Sequence, residues 1–172
     1  GDIDHTQEDG ARLVSTPPYT AYLKIAEGCD NRCAYCVIPS LRGRYRSRTM
    51  ESLLAEARTL AESGVKELIV IAQDITRYGT DIYGKRMLGQ LLQELCRLDF
   101  HWVRLHYLYP DEVDESLIDV IASERKIVKY IDIPLQHVND GILKAMNRRS
   151  TKAEILALLA RLRARLPGLV LR

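Results

Sequence analysis

Apolar residues follow two different spacings along this chain, and each spacing predicts a different element. Continuous β-branched runs are typical of buried parallel strands, whereas apolar residues that recur every three or four positions are typical of helices. The clearest strand is the run at 66–72, which follows a helical pattern capped at Thr49 and closed by Gly64. The predicted strands cover residues 20–25, 66–72, 102–109 and 130–134.

A helical pattern follows each predicted strand. The second runs through the leucines at 88–98, and Asp114 is the expected N-cap of the third. After the fourth strand, Asn139 is expected to cap a short helix, and Thr151 with Glu154 has the spacing of a capping box for a longer one. The last residues, 169–172, have the pattern of a fifth strand that has only begun, so we expect this sequence to be a piece of a longer protein.

Four strand–helix units followed by a fifth strand predict an α/β fold. Such alternation implies a parallel sheet with right-handed crossovers. The pattern alone allows an open doubly wound sheet and a barrel equally. Residues 1–16 are polar and acidic with little periodicity, so we predict a linker there and one folded domain over 17–172.

Composition excludes some classes of protein. The 172 residues are 47% hydrophobic and 28% charged, which is ordinary for a globular domain large enough to bury a core. The formal net charge is only +2, so direct nucleic-acid binding is not indicated. Neither a signal peptide nor an apolar run long enough to span a membrane is evident. Unpaired cysteines fit a reducing compartment, and we expect a cytoplasmic location.

Three of the four cysteines lie within eight residues, at Cys29, Cys33 and Cys36. The residues between the first two are polar, which indicates a loop and not a buried strand. A 4Fe–4S cluster normally takes four thiolates, so three protein thiolates would leave one iron open to a small molecule. The triplet therefore predicts such a cluster as the metal centre.

A zinc site and a disulfide framework fit the cysteines less well. A structural zinc site needs four ligands, usually as two close pairs, and none of the four histidines has zinc-finger spacing relative to the triplet. A disulfide framework is typical of shorter, cysteine-rich secreted domains. Cys96 lies far away beside an apolar helical stripe, where we expect it to pack in the core.

With Tyr35 directly before the last cysteine, the spacing resembles that of the radical S-adenosylmethionine (SAM) enzymes. Further segments are similar to the methylthiotransferase branch, and most of all to the group that modifies an aspartate of small-subunit ribosomal protein twelve. The resemblance covers nearly all of 17–172 and implies a partial (β/α) barrel of the radical SAM type, with four of its six units and the edge of a fifth. The similar segments are 19–28, 37–39, 42–43, 71–74 and 76–79.

The resemblance also implies cofactors and their ligands. The cysteine triplet would hold a 4Fe–4S cluster whose fourth iron binds SAM, the source of a 5′-deoxyadenosyl radical. Tyr35 matches the aromatic position beside the adenine, and Gln136 lies where the family binds ribose or substrate. Arg148 is a candidate for the SAM carboxylate, because a guanidinium pairs well with a carboxylate. Gln73 and Asp74 stand where many relatives carry a Gly-Gly-Glu run for the methionine amino group, a run that this chain lacks.

The family further implies partners that the sequence itself does not contain. These are a second 4Fe–4S cluster on an N-terminal domain, a reducing partner such as flavodoxin or ferredoxin, and the ribosomal protein substrate. Two alternatives stay open: a tRNA adenosine methylthiotransferase of the same family, and an iron–sulfur electron-transfer module without catalysis.

Two further features have more than one interpretation. Residues 42–48 form the densest basic stretch, which is either a solvated loop or a contact surface for an anionic partner or a cofactor carboxylate. His106 lies on a predicted strand, where we expect a hydrogen-bonded structural histidine and not a catalyst.

Overall fold

The computed structural model describes residues 15–172, so the linker predicted at 1–16 lies almost entirely outside the described residues. Within them, strands and helices follow each other along the chain, with two short 3₁₀ turns at Ile75–Arg77 and Pro110–Glu112. In chain order the elements are β1 (Thr20–Lys24), β2 (Ala26–Glu27), α1 (Ile38–Arg42), β3 (Arg46–Ser47), α2 (Met50–Glu62), β4 (Glu67–Ile71), α3 (Leu88–Cys96), β5 (Trp102–Leu105), α4 (Glu115–Ser123), β6 (Ile127–Ile131), α5 (Asp140–Ala145), α6 (Lys152–Arg165) and β7 (Val170–Leu171).

The main sheet has five parallel strands in the order β1-β4-β5-β6-β7. Each of these strands pairs with the next one along the chain, and the order never reverses. A doubly wound sheet changes direction at a switch point, whereas the strands of a (β/α) barrel follow each other around its wall. The sheet is therefore the wall of a partial (β/α) barrel, and the predicted fold class is confirmed. A two-residue antiparallel ladder joins β2 to β3 beside it.

One face of the sheet packs against the helices and forms the core. Leu23, Leu68, Val70 and Leu105 are fully buried there, among leucines and isoleucines of α2, α3, α4 and α6. Cys96 is also buried in this core, as predicted. Burial raises its pKa to about 11, and Glu124 adds to the rise, so the thiol is protonated at neutral pH.

The opposite face of the sheet is polar. Arg104 forms an ion pair with Glu67 (2.6 Å), and its guanidinium carbon lies 5.1 Å from the centroid of the Tyr130 ring. Side chains alternate between the two faces of a strand, so this row faces away from the helices. The concave side of the wall is thus lined by charged and aromatic groups.

Local capping signals predict the helix starts correctly. The side chains of Thr49, Asp114 and Asn139 each accept a hydrogen bond from a backbone N–H in the first turn of the following helix. Thr151 and Glu154 form the predicted capping box at α6. No helix among residues 15–172 combines the length and apolarity needed to cross a membrane.

Two predicted strand boundaries are wrong. The strand predicted at 102–109 ends at Leu105, because Tyr107 has φ = +67° and cannot continue an extended strand. Tyr107 is also half exposed, so it does not share the buried face of Val103. The strand predicted at 130–134 runs instead over Ile127–Ile131, where it pairs with β5.

Candidate cysteine-loop site

The cysteine loop, residues 28–36, follows β1 and β2 at the carboxyl edge of the sheet. It begins at Gly28, which has φ = +77°. A Cβ at this position would lie 2.0 Å from the carbonyl oxygen of Arg44, so only glycine fits. The close approach lets the Cys29 N–H donate to the carbonyl of Gly43 (3.2 Å). The loop and the basic stretch are therefore held against each other at the first cysteine.

The far side of the cysteine loop is held by the end of α5. The N–H of Ala34 donates to the carbonyl of Met146 (3.0 Å), and the Asn147 amide donates to the carbonyl of Arg32 (2.5 Å). Within the loop, the Cys36 N–H donates to the carbonyl of Cys33 (3.0 Å) and closes a turn. Segments more than 100 residues apart thus fix the path of the backbone between the cysteines.

All four cysteines of the chain are free thiols. Cys29 is buried, whereas Cys33 and Cys36 are partly exposed. Burial raises the pKa of the Cys29 thiol, and the nearby negative charges of Asp74, Cys33 and Cys36 raise it further. The raised pKa means that deprotonating Cys29 costs free energy. Metal binding would have to offset this cost, since thiolates and not thiols are metal ligands.

The donor set fits a cluster better than a single ion. Among residues 15–172, no three His, Cys, Asp or Glu side chains converge on one point where they could share a metal ion. A 4Fe–4S cluster does not need such a point, because each cysteine binds a different iron. A cavity of about 500 Å³ opens beside Cys29, lined also by Arg32, Gly43 and Arg44. Three free thiols on one loop, with open space beside Cys29, fit the predicted group.

Asp74 ties the cysteine loop to the end of β4. It is 1% exposed and accepts hydrogen bonds from the Asn31 amide (2.9 Å), from the Thr76 N–H (3.1 Å) and from the Thr76 hydroxyl. Burial raises the pKa of this carboxyl despite those hydrogen bonds. Both carboxylate oxygens are used within the protein, and Asp74 is also the N-cap of the 3₁₀ turn Ile75–Arg77.

Gln73 precedes Asp74 in the chain, but its side chain is only partly satisfied by hydrogen bonds. Its Nε2 donates to Glu27 Oε1 (3.1 Å), while its own Oε1 is buried and has no hydrogen-bond partner. Glu27 thus orients the Gln73 amide, and the Oε1 atom of that amide accepts no hydrogen bond. A buried acceptor without a partner is costly, so this oxygen is an unsatisfied polar group at the end of β4.

Arg148 lies against the second cysteine. It is 9% exposed, and its Nη1 is 3.7 Å from Cys33 Sγ while its Nη2 donates to the carbonyl of Pro134 (2.6 Å). Its guanidinium carbon lies 4.0 Å from the centroid of the Tyr109 ring. The structure therefore brings Arg148 to the cysteine loop, although 115 residues separate it from Cys33.

Tyr109 is a site residue that sequence reasoning missed, because the strand predicted over 102–109 includes it. Its hydroxyl is 3.7 Å from Cys33 Sγ, and the side chain is 7% exposed. Burial raises the pKa of the Tyr109 phenol, and the contact with Cys33 adds to the rise. The signal available in the sequence was its place just beyond the carboxyl end of the third strand, where parallel folds put functional groups.

The remaining predicted site residues are more open. Tyr35 is 52% exposed at the end of the cysteine loop. Gln136 is exposed in the segment after β6 and has φ = +69°. His106 is partly buried, packs edge-on against the Tyr107 ring and has its pKa lowered by burial, so it is neutral at pH 7. Burial raises the pKa of the Tyr35 phenol, and the neighbouring Cys33 adds to the rise, so Tyr35 lies beside the second cysteine.

The basic stretch at 42–48 divides into two parts. Arg48 forms an ion pair with Glu56 (2.6 Å), and the guanidinium of Arg46 donates to the carbonyls of Arg42 and Arg44. These two arginines stabilise the local backbone. Arg44 is exposed and lines the cavity beside Cys29, so both interpretations of the basic stretch stay open for this residue.

Comparison with known proteins gives one family over almost the whole chain. The model of the radical SAM superfamily matches residues 23–171. A relative from Geotalea uraniireducens (strain Rf4), named ribosomal protein uS12 methylthiotransferase RimO, is 59% identical over 96% of this chain. Proteins of the same name from Clostridioides difficile (strain 630) and Caldanaerobacter subterraneus are 54% and 53% identical. The chain spans only 37–40% of the length of these three relatives.

Solved structures share the fold at low identity. The radical SAM methyltransferase TsrM from Kitasatospora setae, with cobalamin and a [4Fe-4S] cluster bound, superposes with a TM-score of 0.70 at 19% identity, over 94% of this chain and 33% of that one. The cobalamin-dependent SAM radical enzyme OxsB gives a TM-score of 0.67 at 17% identity, over 88% of this chain and 23% of that one. These likenesses concern the arrangement of strands and helices.

Proposed function

Because this chain belongs to the radical SAM superfamily, we propose that it is the core of a methylthiotransferase that acts on ribosomal protein uS12. The observation that carries the proposal is the cysteine loop at the carboxyl edge of a partial (β/α) barrel. Identities above 50% with proteins named RimO support the choice of substrate. In this proposal residues 17–172 form the radical SAM core.

Cys29, Cys33 and Cys36 are the proposed ligands of a 4Fe–4S cluster. When bound, the cluster and SAM would supply the 5′-deoxyadenosyl radical that removes hydrogen from an unactivated carbon, here on an aspartate of the substrate. The protein holds the three thiols on a loop that is fixed at both ends, and this loop would position the cluster. The cavity of about 500 Å³ beside Cys29 and Arg44 offers space for part of the cluster or of SAM.

The other predicted residues are proposed to bind SAM. The unpartnered Oε1 of Gln73 is an acceptor for the methionine amino group, and Glu27 orients it. Asp74 does not contact SAM in this proposal. It accepts a hydrogen bond from Asn31 and so holds the cysteine loop in position. Arg148 provides a cation for the SAM carboxylate, while Tyr35 offers an exposed ring for the adenine and Gln136 an amide for ribose or substrate.

Further partners follow from the family. We propose a second 4Fe–4S cluster on an N-terminal domain, an electron donor of the flavodoxin or ferredoxin type, and a cytoplasmic location. The contact with the electron donor is assigned to no residue here. A tRNA adenosine methylthiotransferase is the second candidate function, since the core is shared by both branches of the family.

The first experiment tests the enzyme class. The protein is reconstituted anaerobically with iron and sulfide, reduced with dithionite and mixed with SAM. Release of 5′-deoxyadenosine is the expected result. A cluster whose spectrum does not respond to SAM would support an electron-transfer module instead, and zinc without iron and sulfide would show a structural metal site.

The second experiment tests the substrate. The full-length protein, with SAM and reductant, is offered uS12 and tRNA side by side, and each product is examined by mass spectrometry for the added methylthio group. We expect product on an aspartate of uS12 and none on tRNA. Product on tRNA alone would reject the ribosomal assignment while leaving the superfamily assignment intact.

A further inference from the structure

Two buried side chains reach the sulfur of Cys33 from outside the cysteine loop. The Tyr109 hydroxyl and Arg148 Nη1 are each 3.7 Å from Cys33 Sγ. These are ordinary lengths for hydrogen bonds to sulfur, whose radius exceeds that of oxygen. The two side chains are 7% and 9% exposed, whereas Cys33 itself is partly exposed, so both donors approach the sulfur from the protein interior.

The pair is fixed as a unit. The guanidinium of Arg148 stacks over the Tyr109 ring at 4.0 Å, and its Nη2 is tied to the carbonyl of Pro134. On the neighbouring side, Arg149 lies 5.3 Å from the same ring and is itself paired with Asp111 (2.6 Å) and Glu112 (3.0 Å). Neither group is free to swing away from Cys33 without breaking a stacked cation–π contact.

The direction of these contacts follows from the chemistry of the ligand. A cysteine that binds iron is a thiolate and has no proton to donate, so the O–H of Tyr109 and the N–H of Arg148 must be the donors. Hydrogen bonds to the sulfurs and nearby positive charge stabilise the more negative, reduced cluster. Low local polarity strengthens both effects.

We propose that Tyr109 and Arg148 act as a redox-tuning pair that raises the reduction potential of the cluster through the Cys33 sulfur. Tyr109 is a positioning residue in this role, because it acts through the Cys33 sulfur. The proposal rests on the cluster of the proposed function, but it does not depend on which substrate is modified or on whether SAM is cleaved.

The test is a reductive titration of the reconstituted full-length protein, followed by electron paramagnetic resonance. The signal that changes on adding SAM identifies the cluster with the open iron, and its potential is then measured without SAM. Tyr109→Phe removes one oxygen atom and keeps the ring beneath Arg148. We expect the equilibrium constant for one-electron reduction to fall by up to about tenfold, which corresponds to about 59 mV towards more negative potential.

Tyr107→Phe is the matched control, because Tyr107 lies two residues away with a half-exposed side chain. Its potential should equal that of the unchanged protein. Arg148→Lys, which keeps a positive charge but loses the planar stack, should shift the potential in the same direction as Tyr109→Phe. An unchanged potential in Tyr109→Phe, or an equal shift in both tyrosine variants, would overturn the proposal.

A second measurement does not depend on the stability of any variant. In D₂O, electron–nuclear double resonance of the unchanged protein should detect exchangeable deuterons coupled to the cluster. Tyr109→Phe should lose the coupling of the phenol deuteron and keep that of the Arg148 N–D group. Absence of such a coupling in the unchanged protein overturns the proposal. Release of 5′-deoxyadenosine is measured separately, so a cluster that has the coupling but cleaves no SAM would reject the proposed function and leave this inference standing.

Discussion

The three cysteines of the loop differ in surroundings, although the same ligand role is proposed for all of them. Cys29 is buried beside the basic stretch, Cys33 contacts Tyr109 and Arg148, and Cys36 is partly exposed. Replacing any one of them leaves two thiolates, which hold a four-iron cluster poorly. The differences in burial should therefore matter less for cluster binding than the number of ligands.

Alanine at any of the three loop cysteines should abolish release of 5′-deoxyadenosine and lower the iron bound after reconstitution. Cys96→Ala is the matched control, since it also removes one thiol but lies in the core between α3 and its neighbours. It should keep the cluster and lower the free energy of unfolding by roughly 1–3 kcal/mol. Iron analysis measures the bound cluster, and urea unfolding measures the free energy of unfolding. A loss of iron from Cys96→Ala equal to that from the loop variants would show that the ligands are wrongly assigned.

Residues that are close in sequence were predictable, and those brought together by folding were not. The cysteine triplet can be recognised in the sequence because its members lie within eight consecutive residues. Tyr109 and Arg148 reach Cys33 across 76 and 115 residues, so no local pattern indicates the contact. Arg148 entered the site only through the family resemblance, and its stack on Tyr109 depends on where β5 ends.

At the scale of elements, helix starts were predicted better than strand ends. An N-cap is a local device that needs one side chain and the next turn of backbone, as at Asp114. The end of a strand depends on the partner strand and on single backbone angles, such as φ = +67° at Tyr107. The two-residue strands β2 and β3 are too short to leave any alternating pattern, and only tertiary contact forms them.

Asp114→Ala should lower the free energy of unfolding by about 0.5–2 kcal/mol, because the first turn of α4 loses its cap. Asp114→Asn is the matched control, since an amide oxygen can still accept from the Leu117 N–H. Only a small loss is expected there, as the ion pair with Arg86 is exposed. Urea unfolding at pH 7 measures both, and equal losses in the two variants would show that charge and not capping matters.

The carboxyl group of Asp114 also makes the free energy of unfolding depend on pH. Partial burial acts to raise the pKa of Asp114, but hydrogen bonds from Ser116, Leu117 and Arg86 outweigh it and leave the pKa below its ordinary value. A group with a lowered folded pKa stabilises the protein above its unfolded pKa, about 4, and loses this effect as pH falls through the folded value. The difference between the unchanged protein and Asp114→Ala should therefore narrow below about pH 4.

For the whole molecule, the order of strands determines where the sheet is open. Among residues 15–172, nothing pairs with the outer side of β1 or of β7, so both are edges. An open edge presents unpaired backbone N–H and C=O groups and invites association. On β7, Val170 is an apolar side chain that is 56% exposed, whereas charged side chains are a usual protection of an edge strand.

The 172-residue chain by itself is therefore expected to associate as its concentration rises, and Val170→Lys should weaken that association. A charge on an edge strand must be desolvated when another strand docks, whereas Val170→Thr keeps the β-branched shape and is the matched control. Sedimentation velocity over a range of concentrations measures the effect, and thermal unfolding should change little for either exposed substitution. A chain that stays monomeric at every concentration, or a threonine variant that dissociates as readily as the lysine variant, would show that the β7 edge is not where copies meet.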